Sequence, residues 1–137
     1  MPPTQAMALG FAGMDEETLR LAAPLSANVN DKGCAFGGSL TSVMTLAAWA
    51  LVSIRLEDAG HPAEVYVQDS TVRYLAPLYD DLVAKAWLGE GQAWSAVIDT
   101  FAQRGKARAS MEAEIRDADG TVCCVLSGRF VALAPRA

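Results

Sequence analysis

Residues 28–39 read Asn-Val-Asn-Asp-Lys-Gly-Cys-Ala-Phe-Gly-Gly-Ser and run directly into a long apolar segment. These residue types suit capture of a carbonyl oxygen or an anion. Gly37 and Gly38 offer backbone freedom and no side chains, so amide N–H groups can approach a ligand at the positive end of a following helix. The same residues also suit a glycine-rich turn in which Ser39 is the helix N-cap. Cys34 lies in this loop, but no histidine is near it in sequence to act as a base, and a small packing role is expected. His61, the single histidine, sits between Gly60 and Pro62 in an expected turn, away from any ligand cluster. Lys106 and Arg108 project from one face by the strand period, with Arg104 just before them. They suit either phosphate groups or an ordinary solvated sheet face.

The elements that must position these groups follow from periodicity. Residues 6–14 are weakly strand-like. Residues 18–25 alternate, with Leu19, Leu21 and Ala23 on one side, and an opening hairpin turning at 14–17 is expected. Ser39 to Asp58 gives about five helical turns, ended by Gly60 and Pro62. Leu40, Val43, Met44, Ala47, Trp49, Ala50, Leu51 and Ile54 spread around most of that helix, so protein should wrap it. A long strand from Glu64 to Tyr74 follows, then Pro77 and the Asp80-Asp81 turn, and a strand through about Leu88. Lys106 to Arg116 alternates cleanly, with Ala107, Ala109, Met111, Ala113 and Ile115 on the inner side. An Asp-Gly turn within 117–121 leads to a last strand, Val122 to Leu133. Hairpin, buried helix and four sequential strands predict an α+β domain in which a curved antiparallel sheet wraps one helix.

The chain's 137 residues suit one domain, 1–137. Hydrophobic residues make up 52% and the formal net charge is −5, which favours a soluble protein whose apolar surface is covered in part by partner subunits. Only 11 Lys and Arg stand against 16 Asp and Glu, which disfavours nucleic-acid binding. No run of about 18 consecutive apolar residues and no signal-like N-terminus suggest a membrane span or export, so a cytoplasmic location is expected. Cys34, Cys123 and Cys124 lack Cys-x-x-Cys spacing; three free thiols and no metal site are expected.

The order of Ala23-Pro24-Leu25, Asn30-Asp31-Lys32-Gly33, Ala35-Phe36-Gly37-Gly38-Ser39, Asp69, Arg73-Tyr74-Leu75-Ala76-Pro77, Gly105-Lys106-Ala107-Arg108 and Gly128 resembles the hotdog-fold thioesterases. Within them it resembles the YiiD C-terminal type of thioesterase domain, found in some proteins behind an acetyltransferase domain. The resemblance spans nearly the whole chain. It implies a hotdog fold, hydrolysis of an acyl-CoA or acyl-carrier thioester without a cofactor beyond the substrate's own CoA moiety, and a homodimer, or a dimer of dimers, with each site between two subunits. Met1-Pro2-Pro3-Thr4 resembles the interior of the family's opening segment, which implies that a short preceding helix is missing.

On this resemblance Gly37 and Gly38 supply backbone N–H groups to the thioester oxygen as negative charge develops on it. Asn30 matches an asparagine of some related hydrolases. Phe36 stands where many carry histidine, and Thr45 where some carry an acid on the helix. The base must then come from elsewhere. Asp69 is the preferred candidate, with Asn30 orienting the water or thioester and Asp31 also in reach. Asp31 capping its own turn and Asp69 bracing the loop are the alternatives. Lys32, Phe36, Ser39 and Arg73 are candidates for substrate contacts or the pocket wall, and Arg104, Lys106 and Arg108 for CoA phosphates. Ser70 and Thr71 cannot both face one pocket. A noncatalytic acyl-thioester or lipid-binding module and a purely structural homo-oligomer remain the other classes. The sequence expectation divides the site, with Asn30, Gly37 and Gly38 from one chain and Asp69 from the other.

Overall fold

The computed structural model describes residues 1–136. A short helix, α1 (Pro2–Ala6), precedes β1 (Gly10–Met14), β2 (Thr18–Ala23), α2 (Gly37–Asp58), β3 (Glu64–Tyr74), β4 (Leu82–Leu88), α3 (Trp94–Arg104), β5 (Lys106–Arg116) and β6 (Val122–Leu133). The strands form one antiparallel sheet in the order β1-β2-β4-β5-β6-β3. The final strand therefore lies inside the sheet, and β3 is left at an edge with β6 as its one neighbour. The expected strand at 6–14 begins only at Gly10, because prolines at the first helical positions favour a turn of helix there.

Alternation decides what each strand buries. On β2, Leu19, Leu21 and Ala23 are buried, and on β5 every second residue from Ala107 to Ile115 is buried. These inner residues pack on α2, whose Leu40, Val43, Met44, Ala47, Leu51, Val52 and Leu56 are almost wholly buried. By length and a mean hydropathy of 1.5, α2 would suit a membrane span; here the sheet takes up its apolar surface, as in the core helix of a globular domain. The enclosure is incomplete. Leu46, Trp49, Ala50 and Ile54 are only half-buried, although the Trp49 indole N–H donates to Val65 O of β3 at 2.9 Å.

Two local expectations change. Helix α2 begins at Gly37, its N-cap is Phe36, and no side chain caps it. Ser39 is thus a buried residue of the first turn rather than the cap. Between β4 and β5 stands α3, which strand-based reading of this half of the chain missed. Its signal was present: Trp94, Val97 and Phe101 recur at helical spacing and are the residues it buries, and Gly105 ends it in the left-handed region at φ 68°. The helix takes over where β4 leaves the sheet, and the Gln92 side chain substitutes for a neighbouring strand. Its Oε1 accepts from Ser110 N at 3.1 Å and its Nε2 donates to Ser110 O at 3.4 Å.

Candidate active site

The loop before α2 is held by its backbone and by Asn28. This asparagine is 3% exposed, and its Nδ2 donates to Met7 O at 3.0 Å and Pro24 O at 2.8 Å. Phe36 N donates to Asn28 O and Ala35 N to Leu78 O, both at 2.8 Å, so the loop is tied to itself and to the β3–β4 connection. Sequence reading overlooked Asn28 because a buried anchor and a solvated turn asparagine look alike in a string of letters. Asn30 serves the same loop. Its Oδ1 accepts from Lys32 N at 2.8 Å and Cys34 N at 3.2 Å, and its Nδ2 donates to the Cys34 sulfur at 3.2 Å. This is an Asx turn, in which the side chain organises its own backbone. Cys34 is buried, and all three cysteines are free. Asp31 and Lys32 pair with each other at 3.2 Å in solvent, with 82% and 74% of their side chains exposed.

At the start of α2 the first helical bond is Leu40 N to Phe36 O at 3.0 Å. The N–H groups of Gly37, Gly38 and Ser39 have no acceptor among the described residues, as expected of an uncapped helix. Neither glycine has a positive φ. Their backbone freedom is unused, and what matters is the missing side chain. A Cβ on Gly38 would stand 2.4 Å from the Phe36 ring, which lies against the backbone there and is itself 55% exposed. Tyr74, at the end of β3, reaches the same turn. Its hydroxyl donates to Gly37 O at 3.1 Å and meets Thr41 Oγ1 at 2.7 Å. A groove of about 350 Å³ opens beside this turn, walled by Ala35, Leu40, Tyr74, Leu75, Pro77 and Leu78. Its lining also includes Gly37, the first residue of a 22-residue helix, so apolar walls lie beside the helix end that carries the unpartnered N–H groups.

Asp69 lies elsewhere. It pairs across the strands with Arg129, and directly opposed residues share a face. Arg129 Nε donates to Asp69 Oδ1 at 2.9 Å and Nη2 to Oδ2, a bidentate pair on the solvent face of the sheet. The hydrogen bond and charge of Arg129 hold the Asp69 carboxyl below the usual carboxylate range, and the guanidinium is correspondingly raised. Thr71 shares this face, and Ser70 the opposite one. Tyr74 is five residues beyond Asp69, so it too points to the opposite, helix-facing side. Within one chain, then, Asp69 does not converge with Gly37 and Gly38. It lines a separate groove of about 340 Å³ with Ser110, Ser127 and Arg129.

The basic residues are distant again. Arg104 ends α3, and Lys106 and Arg108 are exposed on one face of β5. Arg108 Nε donates to Gln68 Oε1 at 2.9 Å. Val131 pairs with both Arg108 and Tyr66, which puts Arg108 about eight residues, roughly 26 Å, along β3 from Tyr74. Arg73 is exposed on the Asp69 face of β3. His61 sits at the far end of α2, its ring 6.2 Å from that of Phe101 and edge-on to it.

Residues 1–134 match the family described as "Putative thioesterase (yiiD_Cterm)". The chain belongs to this family. Its fold is also that of solved proteins. A Chlorobaculum tepidum protein of unknown function shares 29% identity at a TM-score of 0.90, over 98% of this chain and 88% of that one. A Shewanella oneidensis protein described, like the family, as a putative thioesterase shares 26% at 0.86, over 98% and 90%. A Pseudomonas aeruginosa protein described as a probable thioesterase, at 22% identity and a TM-score of 0.82 over 98% and 89%, is alike in fold. The architecture is the hotdog fold, and the family supports thioester hydrolysis as its chemistry.

Proposed function

We propose that the protein hydrolyses an acyl-CoA or acyl-carrier thioester, with the thioester oxygen seated on the N–H groups of Gly37 and Gly38 and the site completed by a second copy of the chain. The observation that carries this reading is the set of unpartnered N–H groups above an apolar groove at the start of α2. As water's oxygen bonds to the carbonyl carbon, charge grows on the carbonyl oxygen; the C–S bond then breaks and the thiol leaves with a proton. Fixed donors stabilise the charged stage more than the neutral ester, and one donor of this kind is worth about 3 kcal/mol. Family membership supplies the substrate class.

Two features support the dimer. Strand β3 is a long edge with Tyr66 52% and Val67 46% exposed, and such an edge invites pairing with its symmetry mate. The half-covered Leu46, Trp49 and Ile54 flank of α2 is the other apolar surface that one chain leaves open. Antiparallel pairing of two β3 strands would set the Tyr66 end of one beside the Tyr74 end of its partner. The Arg104, Lys106 and Arg108 group of one subunit would then approach the Gly37 groove of the other, where CoA phosphates fit the reading. Asp69 remains the proposed base, contributed by the partner; since it stands on the solvent face of the sheet and the groove on the helix face, the carboxylate would have to reach the groove around the paired β3 edges. In this role it must share its carboxylate between Arg129 and the water, with Asn30 holding the loop rather than the water. A cytoplasmic location belongs to the same proposal, which a dimer and a dimer of dimers fit equally.

One observation favours the noncatalytic binding module. Asn30, Asp31 and Asp69, the candidates for activating water, all direct polar atoms to protein partners. A panel of short, branched, aromatic and long acyl-CoAs, assayed for both binding and thiol release, decides between the two. Release from at least one ester is the expected result; binding throughout without release would establish the module instead.

A further inference from the structure

We propose that Tyr74 is a positioning residue that tunes the Gly38 N–H as an oxyanion donor, acting through the peptide bond between residues 37 and 38; the inference rests on the hydrolytic reading above. The carbonyl of Gly37 and the N–H of Gly38 are two ends of one planar, conjugated unit. A proton donated to the oxygen draws electron density along the unit and makes its N–H a stronger donor. The Tyr74 hydroxyl is that proton source, at 3.1 Å from Gly37 O. Its oxygen lies 2.7 Å from Thr41 Oγ1. With the phenol proton committed to Gly37 O, the Thr41 hydroxyl donates to the phenol oxygen. The result is a chain from Thr41 through Tyr74 and the peptide to the Gly38 N–H, each bond polarising the next.

Two comparisons within the molecule sharpen the point. The next peptide carries a similar addition: Ser42 Oγ donates to Gly38 O at 2.8 Å, and the N–H of that peptide belongs to Ser39. An identical bond, Ser53 Oγ to Trp49 O at 2.8 Å, occurs in the middle of α2, where the polarised N–H is already used by the helix. Only at the first turn does extra polarisation reach N–H groups free to take a ligand. Tyr74 differs from both serines in coming from another element. It fixes the first turn of α2 against the end of β3 and so sets the direction as well as the strength of the Gly38 donor.

Tyr74→Phe keeps the ring beside Gly37 and removes the hydroxyl. Polarisation of about 10–30%, applied to a donor worth roughly 100- to 1,000-fold, predicts that kcat and kcat/KM fall together by about two- to eightfold with KM unchanged. The amide resonance of Gly38 in a ¹H–¹⁵N spectrum moves upfield, because the hydrogen bond on its peptide oxygen is gone. Ser53→Ala, which removes the same kind of bond from mid-helix, changes neither kcat nor that resonance. Thr41→Val gives a smaller shift in the same direction and adds no loss of rate in the Tyr74→Phe background, since Thr41 acts only through the phenol. A wild-type kcat in Tyr74→Phe, a stationary Gly38 resonance, or an independent effect of Thr41→Val overturns the proposal. Should Tyr74→Phe fail to fold, the Gly38 shift in Thr41→Val decides, and its absence is fatal. Wild-type protein that releases no thiol from any acyl-CoA defeats the hydrolytic reading instead, a result distinct from all of these.

Discussion

The Gly37 groove and the Asp69 groove are nearly equal in size, about 350 and 340 Å³, and opposite in character. The first joins apolar walls to N–H groups left without partners. The second has polar walls whose charged members are already paired, Asp69 with Arg129, and Ser127 Oγ donates to Glu112 Oε1 at 2.8 Å. A surface whose polar groups already have partners gains little by binding a ligand, whereas unpartnered donors beside apolar walls gain a hydrogen bond and burial at once. The difference supports the helix start as the proposed seat of the substrate. It leaves Asp69 a role only if the assembly brings it to another subunit's groove.

The largest effect expected from breaking this contrast is at Gly38. Gly38→Val should lower kcat by more than about 100-fold while the melting temperature changes little. The branched side chain must push the Phe36 ring off the turn and crowd the donors, yet the backbone there is ordinary helix. Gly38→Ala in a Phe36→Ala background removes the collision and should be far milder. Steady-state kinetics with thermal melts read both, and an active Gly38→Val protein sinks the oxyanion assignment.

Next comes Asp69→Asn, for which a fall of about 100-fold in kcat is expected of a lost general base. Mixing it with Gly38→Val tests the division between chains. Hybrid dimers carry one intact site, and a random one-to-one mixture should recover roughly a quarter of wild-type turnover. Hybrids that form and stay inactive would show that the two residues do not serve one shared site.

A subtler effect concerns pH. Because Arg129 holds the Asp69 carboxyl below its usual value of 3.8, Asp69 stays ionised further into acid than a free carboxylate. Arg129→Gln should raise that pKa toward 3.8, so the acid limb of the kcat/KM profile moves to higher pH. The stability contribution of the pair has the matching sign. It is complete above the unfolded pKa and is lost as pH falls through the lower, folded one. An acid limb that does not move in Arg129→Gln excludes Asp69 as the titrating base.

The smallest effect is expected at Asp31, whose partner Lys32 shares its full exposure to solvent. Asp31→Ala should shift the melting temperature by no more than about 3 °C. A larger shift would mean that the charged tip of the loop is buried in the assembled protein.

Most of the strands and the long helix were legible because each buries one face, and burial on one face writes its period into the residues. Lys106 to Arg116 is the clearest case, since inner and outer positions alternate from end to end. Helix α3 was legible in principle through Trp94, Val97 and Phe101, but a few turns of helix among strands are easily passed over. The cap at Ser39 was misplaced by three residues because Gly37 and Gly38 read as loop, when they form the first turn of the helix with no positive φ. Tyr74 stood out only as part of the motif at 73–77, and Thr41 had no signal at all. They are far apart in sequence and meet only because β3 ends beside the first turn of α2.

Local chemistry written in the order of the residues determined most of the element types, the buried faces, the glycine pair at the start of a helix and the family to which the chain belongs. Those properties depend on neighbours along the chain, or on motifs that keep their spacing. Only the tertiary structure decided that β6 separates β3 from the rest of the sheet, that Asp69 faces solvent with Arg129, and that Tyr74 reaches the Gly37 carbonyl. Each of these depends on strand order and register, where a shift of one residue turns every side chain to the other face.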